Sequence, residues 1–264
     1  MTDDVLKRAK ALLGKDYAAD RKALPGNTGM AKARDILEAK GGLDVYVVFD
    51  TTGSMEAYIG EVRENLAQVT DAILGEKSGT RLSINGVGDH CDGGNMLQMY
   101  ALTSDAAEAQ GSIDSIAMTD GGDAPEAYEC AALALAKRLP AESAGRKRAV
   151  VLVGDSVPHG MIDQPCENGV DYATAFEALK TLCDGFYLVG CNPQSYSHQR
   201  VLINPERKDR EQFIPLGDMV DVLPTLLAAI AKKTESEKAL ADYLALVGKN
   251  NPEAAQKVAG LLTR

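Results

Sequence analysis

An α/β fold with a doubly wound, mostly parallel central sheet and helices on both faces is the architecture predicted by this 264-residue sequence. Two observations carry the expectation. Short apolar runs rich in β-branched residues recur at Leu43–Phe49, Arg81–Gly88, Ala149–Val153 and Phe186–Val189, and runs with so little polar alternation are those of strands covered on both faces. Between them lie segments with apolar residues at helical spacing, and strands alternating with helices argue for parallel pairing. A chain of this length holds one large domain or two small ones. Apolar residues make up 45%, with no Trp and four Phe, so the core is expected to consist of Ala, Val, Leu and Ile.

The elements follow in order. Val5, Leu6, Ala9, Leu12 and Leu13 fall at helical spacing, and Met30–Lys40 reads as a second helix closed by Gly41 and Gly42. Residues 1–42 are therefore expected to form an N-terminal helical extension. The main domain, expected over 43–233, opens with the strand LDVYVVF. Glu56–Leu74 reads as a long helix, Arg81–Gly88 as a strand and Met96–Leu102 as a weaker one. Asp105–Ile116 is helical, and Pro125–Leu139 is an Ala-rich helix with Pro125 at its first position. Ala149–Val153 is a strand leading to Asp155, Tyr172–Cys183 a helix and Phe186–Val189 a strand. Met219–Lys232 is a helix whose closing lysines suit the negative end of its dipole. Residues 234–264 read as two short helices split at Lys249–Pro252, a hairpin either packed back on the domain or offered to a partner helix.

Composition narrows the function. The formal charge is −10, which argues against nucleic acid or an anionic membrane as partner, since both attract positive surfaces. Five cysteines without a C-x-x-C pair point to reduced thiols rather than a disulfide framework. The N-terminal residues do not have the form of a signal peptide, and no stretch reaches the length of a membrane span. A cytoplasmic protein is the expectation. Phosphate-binding glycine loops are absent from the sequence.

The segment VYVVFDTTGSM, Val45–Met55, is the most informative. An apolar strand ends in Asp50, and hydroxyl side chains follow at every second position, Thr52 and Ser54. A carboxylate and two hydroxyls on one side of a tight loop can meet one hard cation, and Mg²⁺ accepts oxygen ligands in an octahedron. Gly53 permits the sharp turn. Asp155 closes a second strand in VVLVGDSVPHG, and ligands of open α/β sheets collect at such carboxyl ends. In TDGGDAPEAYE, Asp123 reads either as a ligand, directly or through water, or as a helix cap. Asp89 in GVGDHCDGG reads either as a hydrogen-bonding neighbour of a metal site or as part of a polar turn. Thr119 and Ser156 are further candidates for metal contact or support. A zinc site from His90, Cys91 and His159 matches no known ligand spacing.

These segments resemble, in order, those of von Willebrand factor A domains. Asp50, Thr52 and Ser54 match the Asp-x-Ser-x-Ser of the metal-ion-dependent adhesion site, with Thr for the first Ser. Asp155 matches the aspartate closing the family's fourth strand. Asp155, Pro158, His159 and Gly160 match an Asp-x-x-Pro-His-Gly run of an intracellular branch, in which an Asp-His pair like Asp89-His90 also occurs. Asp123 stands in a Gly-Gly-Asp-x-Pro-Glu run where other members place a threonine ligand. The resemblance covers about residues 43–232. It implies a Rossmann-like fold and a Mg²⁺ site, with Mn²⁺ or Ca²⁺ as alternatives, made by Asp50, Thr52, Ser54, Asp123 and Asp155. It also implies a protein partner that supplies a carboxylate, and an adaptor role beside a separate ATPase or kinase chain.

A metal-dependent enzyme is the rival, because metal and carboxylates also serve phosphoryl transfer and hydrolysis, with His159 as acid or base. Position 52 is Thr, where aspartyl-phosphate phosphotransferases place a second aspartate, and no G-x-S-x-G elbow occurs. A binding protein rather than an enzyme is therefore expected. A metal-free scaffold is the third reading.

Overall fold

The computed structural model describes residues 42–215, apart from 57, 61–69, 71–73, 75–78, 163 and 208–209. The expected N-terminal helices, the Met219–Lys232 helix and the C-terminal hairpin lie outside the described residues. So does most of the expected Glu56–Leu74 helix, of which residues 56, 58–60 and 70 are helical.

Eight described strands occur: β1 Leu43–Asp50, β2 Thr80–Val87, β3 Leu97–Gln98, β4 Pro125–Glu126, β5 Lys147–Gly154, β6 Val157–Pro158, β7 Gly185–Gly190 and β8 Glu211–Pro215. The main sheet runs β3-β2-β1-β5-β7-β8. All its pairs are parallel except the β2–β3 edge. The helices are α1 Ala106–Ser115, α2 Tyr128–Glu142 and α3 Tyr172–Leu182, with a single helical turn at Tyr196–Gln199. The α/β class and the mostly parallel sheet are those expected.

Every residue of β1 is buried, as a central strand with helices on both sides requires. Val45, Val47 and Phe49 pack into one core with Ile84, Val151, Val153 and Ile113 of α1. Tyr46 and Val48 face the opposite core with Leu152, Leu188, Leu135 of α2 and Phe176 of α3. Alternate side chains of a strand point to opposite faces, so one apolar run feeds both cores. On the second face Phe176 meets Phe186 edge-on, with ring centroids 5.9 Å apart.

Three local expectations change. Pro125 does not open a helix. Pro125 and Glu126 form β4, pairing in parallel with Val157 and Pro158 of β6, and proline is tolerated at the first residue of a short edge strand because it has no N–H to place in a ladder. The helix begins at Tyr128 and runs past Pro140 to Glu142. The expected strand at Met96–Leu102 shrinks to two antiparallel residues, with a bridge from Thr103 to Leu82 beyond it. The sequence reading did not include β8, a half-polar edge strand whose Glu211 is buried against Lys180 at 3.1 Å.

Asp44 ties together the end of the sheet remote from Asp50. Its side chain is fully buried, Oδ2 lies 2.6 Å from Arg81 Nη2, and Oδ1 lies 2.7 Å from Arg146 Nε. The guanidinium groups continue to Glu142 O (2.8 Å) and Gly79 O (2.5 Å). Burial alone would raise the carboxyl group, but hydrogen bonds from Arg81, Ser143 and Arg146 hold it below its ordinary value. Replacing Asp44 with Ala strands two partly exposed arginines and is expected to cost about 2–4 kcal/mol in urea unfolding at pH 7. The depressed carboxyl contributes stability that is present above an unfolded pKa of about 3.9 and lost as pH falls through the folded value. The gap between wild type and the variant should therefore narrow below about pH 4.

Candidate metal centre

The order of the sheet creates one crevice. From β1 the chain steps outward to β2 and β3, then crosses back to β5 and continues to β7 and β8 on the other side. The direction of winding reverses between β1 and β5, and side chains at the carboxyl ends of those strands can meet there. Asp50 ends β1, and Asp155 follows β5 directly.

The chain turns sharply after Asp50, through the short 3₁₀ turn Gly53–Met55. Asp50 Oδ1 accepts from Thr52 N at 2.8 Å and from the Thr52 hydroxyl at 2.6 Å. Oδ2 accepts from the Tyr128 hydroxyl at the start of α2. Thr52 Oγ1 lies 3.4 Å from Ser54 Oγ, and Ser54 donates to Asp155 Oδ1 at 3.0 Å. Asp50, Thr52, Ser54 and Asp155 thus form one continuous polar chain across the β1–β5 junction. Asp50, Thr52 and Asp155 are buried, whereas Ser54 is exposed and opens the group to solvent.

The remaining candidates are placed differently. Thr119 Oγ1 pairs with Thr51 Oγ1 at 3.0 Å, while Thr119 N donates to Thr51 O, so it braces the loop from behind. Ser156 donates its hydroxyl to the Ala124 carbonyl and its N–H to the Tyr128 oxygen at 3.4 Å. Asp123 is not a helix cap, since α2 starts five residues later. Its carboxylate lies 3.6 Å from His159 Nε2, and Asp89 approaches the same nitrogen at 3.3 Å. Asp89, Asp123 and His159 form a separate group whose donor atoms lie within 4.8 Å of one another. Asp89 also caps the 3₁₀ turn His90–Asn95 in a reciprocal arrangement with Asp92.

The sequence reading singled out neither Glu126 nor Tyr128. Glu126 sits on β4, and pairing of β4 with β6 brings it beside the crevice. Its Oε2 is buried without a hydrogen-bond partner. The run TDGGDAPEAYE displays its acids plainly, but only the two-residue pairing selects which one faces inward. Tyr128 carried no signal beyond being an aromatic residue among alanines. Its ring occupies the space that a side chain at position 154 would need: a β-carbon on Gly154 would collide with the phenol and stand 3.4 Å from Asp50 Cβ.

The charges accumulate in one sign. Burial pushes the Asp50 carboxyl up to about 6; hydrogen bonds from Thr52 and Tyr128 oppose the shift, and the charge of Asp155 adds to it. Burial, followed by the charges of Asp50 and Asp89, pushes Glu126 up to about 10. Among the described residues no Lys or Arg pairs with Asp50, Glu126 or Asp155. Buried carboxylates lacking a cationic partner, one with an orphaned oxygen, beside two hydroxyls make a donor set that fits a divalent, oxygen-seeking cation.

No protein-family model matches the sequence, and no curated protein does. Solved structures do match. Proximal thread matrix protein 1 from the mussel byssus, with a zinc-occupied MIDAS motif, aligns at 13% identity and TM-score 0.51, over 75% of this chain and 47% of that one. The pilus adhesin SpaC from Lactobacillus rhamnosus GG, in an open conformation, aligns at 15% and 0.51, over 82% of this chain and 30% of the adhesin. An aerotolerance-related membrane protein from Bacteroides fragilis NCTC 9343, carrying multiple mutations to serine, aligns at 12% and 0.50, over 72% of this chain and 100% of that one. The fold is that of a von Willebrand factor A-like domain. The chain spans about half the length of the mussel protein and under a third of SpaC, and at these identities the likeness is one of fold. In this fold the crevice between β1 and β5 holds the Asp50 group.

In metal-free protein, both raised carboxyls favour the protonated form in the fold. Their contribution is full below the unfolded pKa values near 4. It fades as pH rises through about 6 for Asp50 and about 10 for Glu126. In chelator, Asp50 alone should lower stability by about 3 kcal/mol between about pH 4 and pH 7. Urea unfolding across that range checks this, and Asp50→Asn should remove the Asp50 share of the slope while that of Glu126 remains.

Proposed function

We propose that the chain is a Mg²⁺-dependent protein-interaction module that captures a carboxylate of a partner at the Asp50 site. The observation that carries the reading is the hydrogen-bonded group Asp50, Thr52, Ser54 and Asp155 at the winding reversal, with buried Glu126, one oxygen of which has no hydrogen-bond partner, beside it. Two structural neighbours, a mussel byssus protein with a zinc-occupied MIDAS motif and a pilus adhesin, support it.

In this reading Thr52 and Ser54 offer neutral oxygens to the ion, while Asp50 and Asp155 hold it directly or through water. The ion, when bound, supplies an open coordination position for an acidic side chain. Tyr128 fixes Asp50 by donating to Oδ2, and Gly154 leaves room for that ring. Glu126, buried beside the group, would be drawn toward its ionised form by a bound cation, which offsets the burial and neighbouring charges that hold it protonated in the metal-free protein. Exposed Ser54 lies where a partner would approach. Asp123 and Asp89 are placed in this reading beside His159 rather than on the ion.

The proposed activity is binding without turnover. The proposed partner is a protein, such as a separate ATPase or kinase chain, and the proposed compartment is the cytoplasm. The −10 charge supports a partner other than nucleic acid or an anionic membrane. No described helix is long and apolar enough to cross a membrane.

Calorimetric titration with Mg²⁺ and Mn²⁺ is the direct test. Saturable binding to one site in wild type is expected, lost in Asp50→Ala and Asp155→Ala, with partner capture abolished by EDTA. Partner capture indifferent to EDTA and to Asp50→Ala would establish the scaffold reading instead. Turnover of a phosphate ester that disappears in His159→Ala would establish the enzyme.

A further inference from the structure

A second cluster of metal-binding side chains lies outside the Asp50 group. Glu129 and Cys130 occupy the first turn of α2, His90 opens the 3₁₀ turn after β2, and Cys166 lies in the connection between β6 and α3. One donor atom from each lies within 4.8 Å of the other three. His90 Nε2 is 3.2 Å from Glu129 Oε1, Glu129 Oε1 is 3.6 Å from Cys130 Sγ, and Cys130 Sγ is 3.6 Å from Cys166 Sγ.

These separations have a common explanation. A tetrahedral zinc ion bound at ordinary lengths sets its ligands about 3.4 Å apart for N and O, about 3.6 Å for S and O and about 3.8 Å for two sulfurs. The nitrogen–oxygen edge, 3.2 Å, is the shortest and the two edges that involve sulfur are both 3.6 Å, each within about 0.2 Å of those lengths. The 3.2 Å edge lies at the long limit of an N–H···O hydrogen bond, and the sulfur pair is far beyond disulfide length. The set of two sulfurs, an imidazole and a carboxylate is closed, with four protein donors and no vacant position, as in structural zinc sites.

The surroundings suit an ion. The side chain of Glu129 is fully buried and that of His90 is 4% exposed. Among the described residues no Lys or Arg pairs with Glu129, and the nitrogen groups that reach its Oε1 are the imidazoles of His90 at 3.2 Å and His159 at 3.7 Å. Its other oxygen accepts from His159 N at 3.1 Å, which fixes the carboxylate plane. The side chain of Asn168 reaches both Cys130 Sγ (3.6 Å) and His90 Nδ1 (3.4 Å), so it can hold either donor in place. Among its described residues the segment from His159 to Asp171 connects β6 to α3 without a helix or strand of its own. Connections of that length are uncommon in a compact domain unless something fastens them.

We propose that His90, Glu129, Cys130 and Cys166 form a structural zinc site, separate from the Asp50 group, that pins the β6–α3 connection and the turn after β2 to the start of α2. On loading, each thiol releases a proton to solvent and binds as thiolate. The site needs sulfur, so it selects a softer ion than the oxygen-lined crevice does.

Cobalt separates the two sites, because only thiolate ligands give an intense sulfur-to-metal charge-transfer band. The full reduced chain, stripped with chelator and titrated with Co²⁺, should develop that band with one equivalent. Zn²⁺ should bleach it, Asp50→Ala should keep it, and Cys166→Ser should lose it. In wild type loosened by mild urea, Zn²⁺ should also slow the labelling of two buried thiols, Cys130 and Cys166, by a thiol-reactive dye while exposed Cys91 stays reactive. That arm does not depend on a variant that folds. Co²⁺ binding without the band, a band that survives Cys166→Ser, or equal labelling with and without Zn²⁺ would overturn the proposal. So would recovery of Cys130 and Cys166 as a disulfide that resists reduction in the native protein.

Discussion

Everything at the candidate centre depends on the parallel pairing of β1 with β5. That pairing sets Phe49 opposite Val153, so the strands end together and their next residues share one crevice. The winding reverses at this junction, so no crossover helix covers it. A slip of one residue along either strand would turn the strand over and send its carboxylate to the opposite face. Because β1 is buried along its whole length, its register is fixed by two cores at once, and the position of Asp50 inherits that rigidity.

The fold could be read in the sequence because its signals are local. Apolar runs such as LDVYVVF declare buried strands, and the spacing of strands and helices leads to a parallel sheet. Asp50, Thr52, Ser54 and Asp155 were visible for the same reason, each lying at or just beyond the end of such a run. Where the reading went astray, the deciding contact was distant. Pro125 looks like the start of a helix until β6 offers Val157 and Pro158 as partners. Glu126 is one acid among several until that pairing turns it inward. Tyr128 matters only because position 154, far along the chain, has no side chain. The cluster around Glu129 draws on three separate segments, so no spacing rule could have found it, and exposed Cys91, which is adjacent to His90 in sequence, misdirects the search.

Two kinds of donor lie side by side on either side of the first turn of α2. The crevice between β1 and β5 offers hydroxyl and carboxylate oxygens, some of them buried at the expense of their charge. On the other side, two thiols and an imidazole surround Glu129. The rings of His90 and His159 meet at a tilt of 56°, with 4.6 Å between their centroids. His159 also reaches Asp89 and Asp123, linking the acid-rich loops to the sulfur-bearing cluster. Helix α2 is therefore the shared wall, with Tyr128 directed at Asp50 and Glu129 directed at the histidines.

The polar chain in the crevice also constrains the order in which the molecule can be assembled. Ser54 and Asp155 are 101 residues apart, and Tyr128 and Asp50 are 78 apart. Closing a loop of about a hundred residues carries an entropic cost of about 4 kcal/mol before any local gain. Contacts of such range form late, after neighbouring strands have already condensed. A nascent chain that has not yet extruded β5 has Asp50 but lacks the other bank of the crevice. The Asp50 group is therefore complete only in a finished sheet, and half-made copies of the protein carry one bank of the crevice without the other.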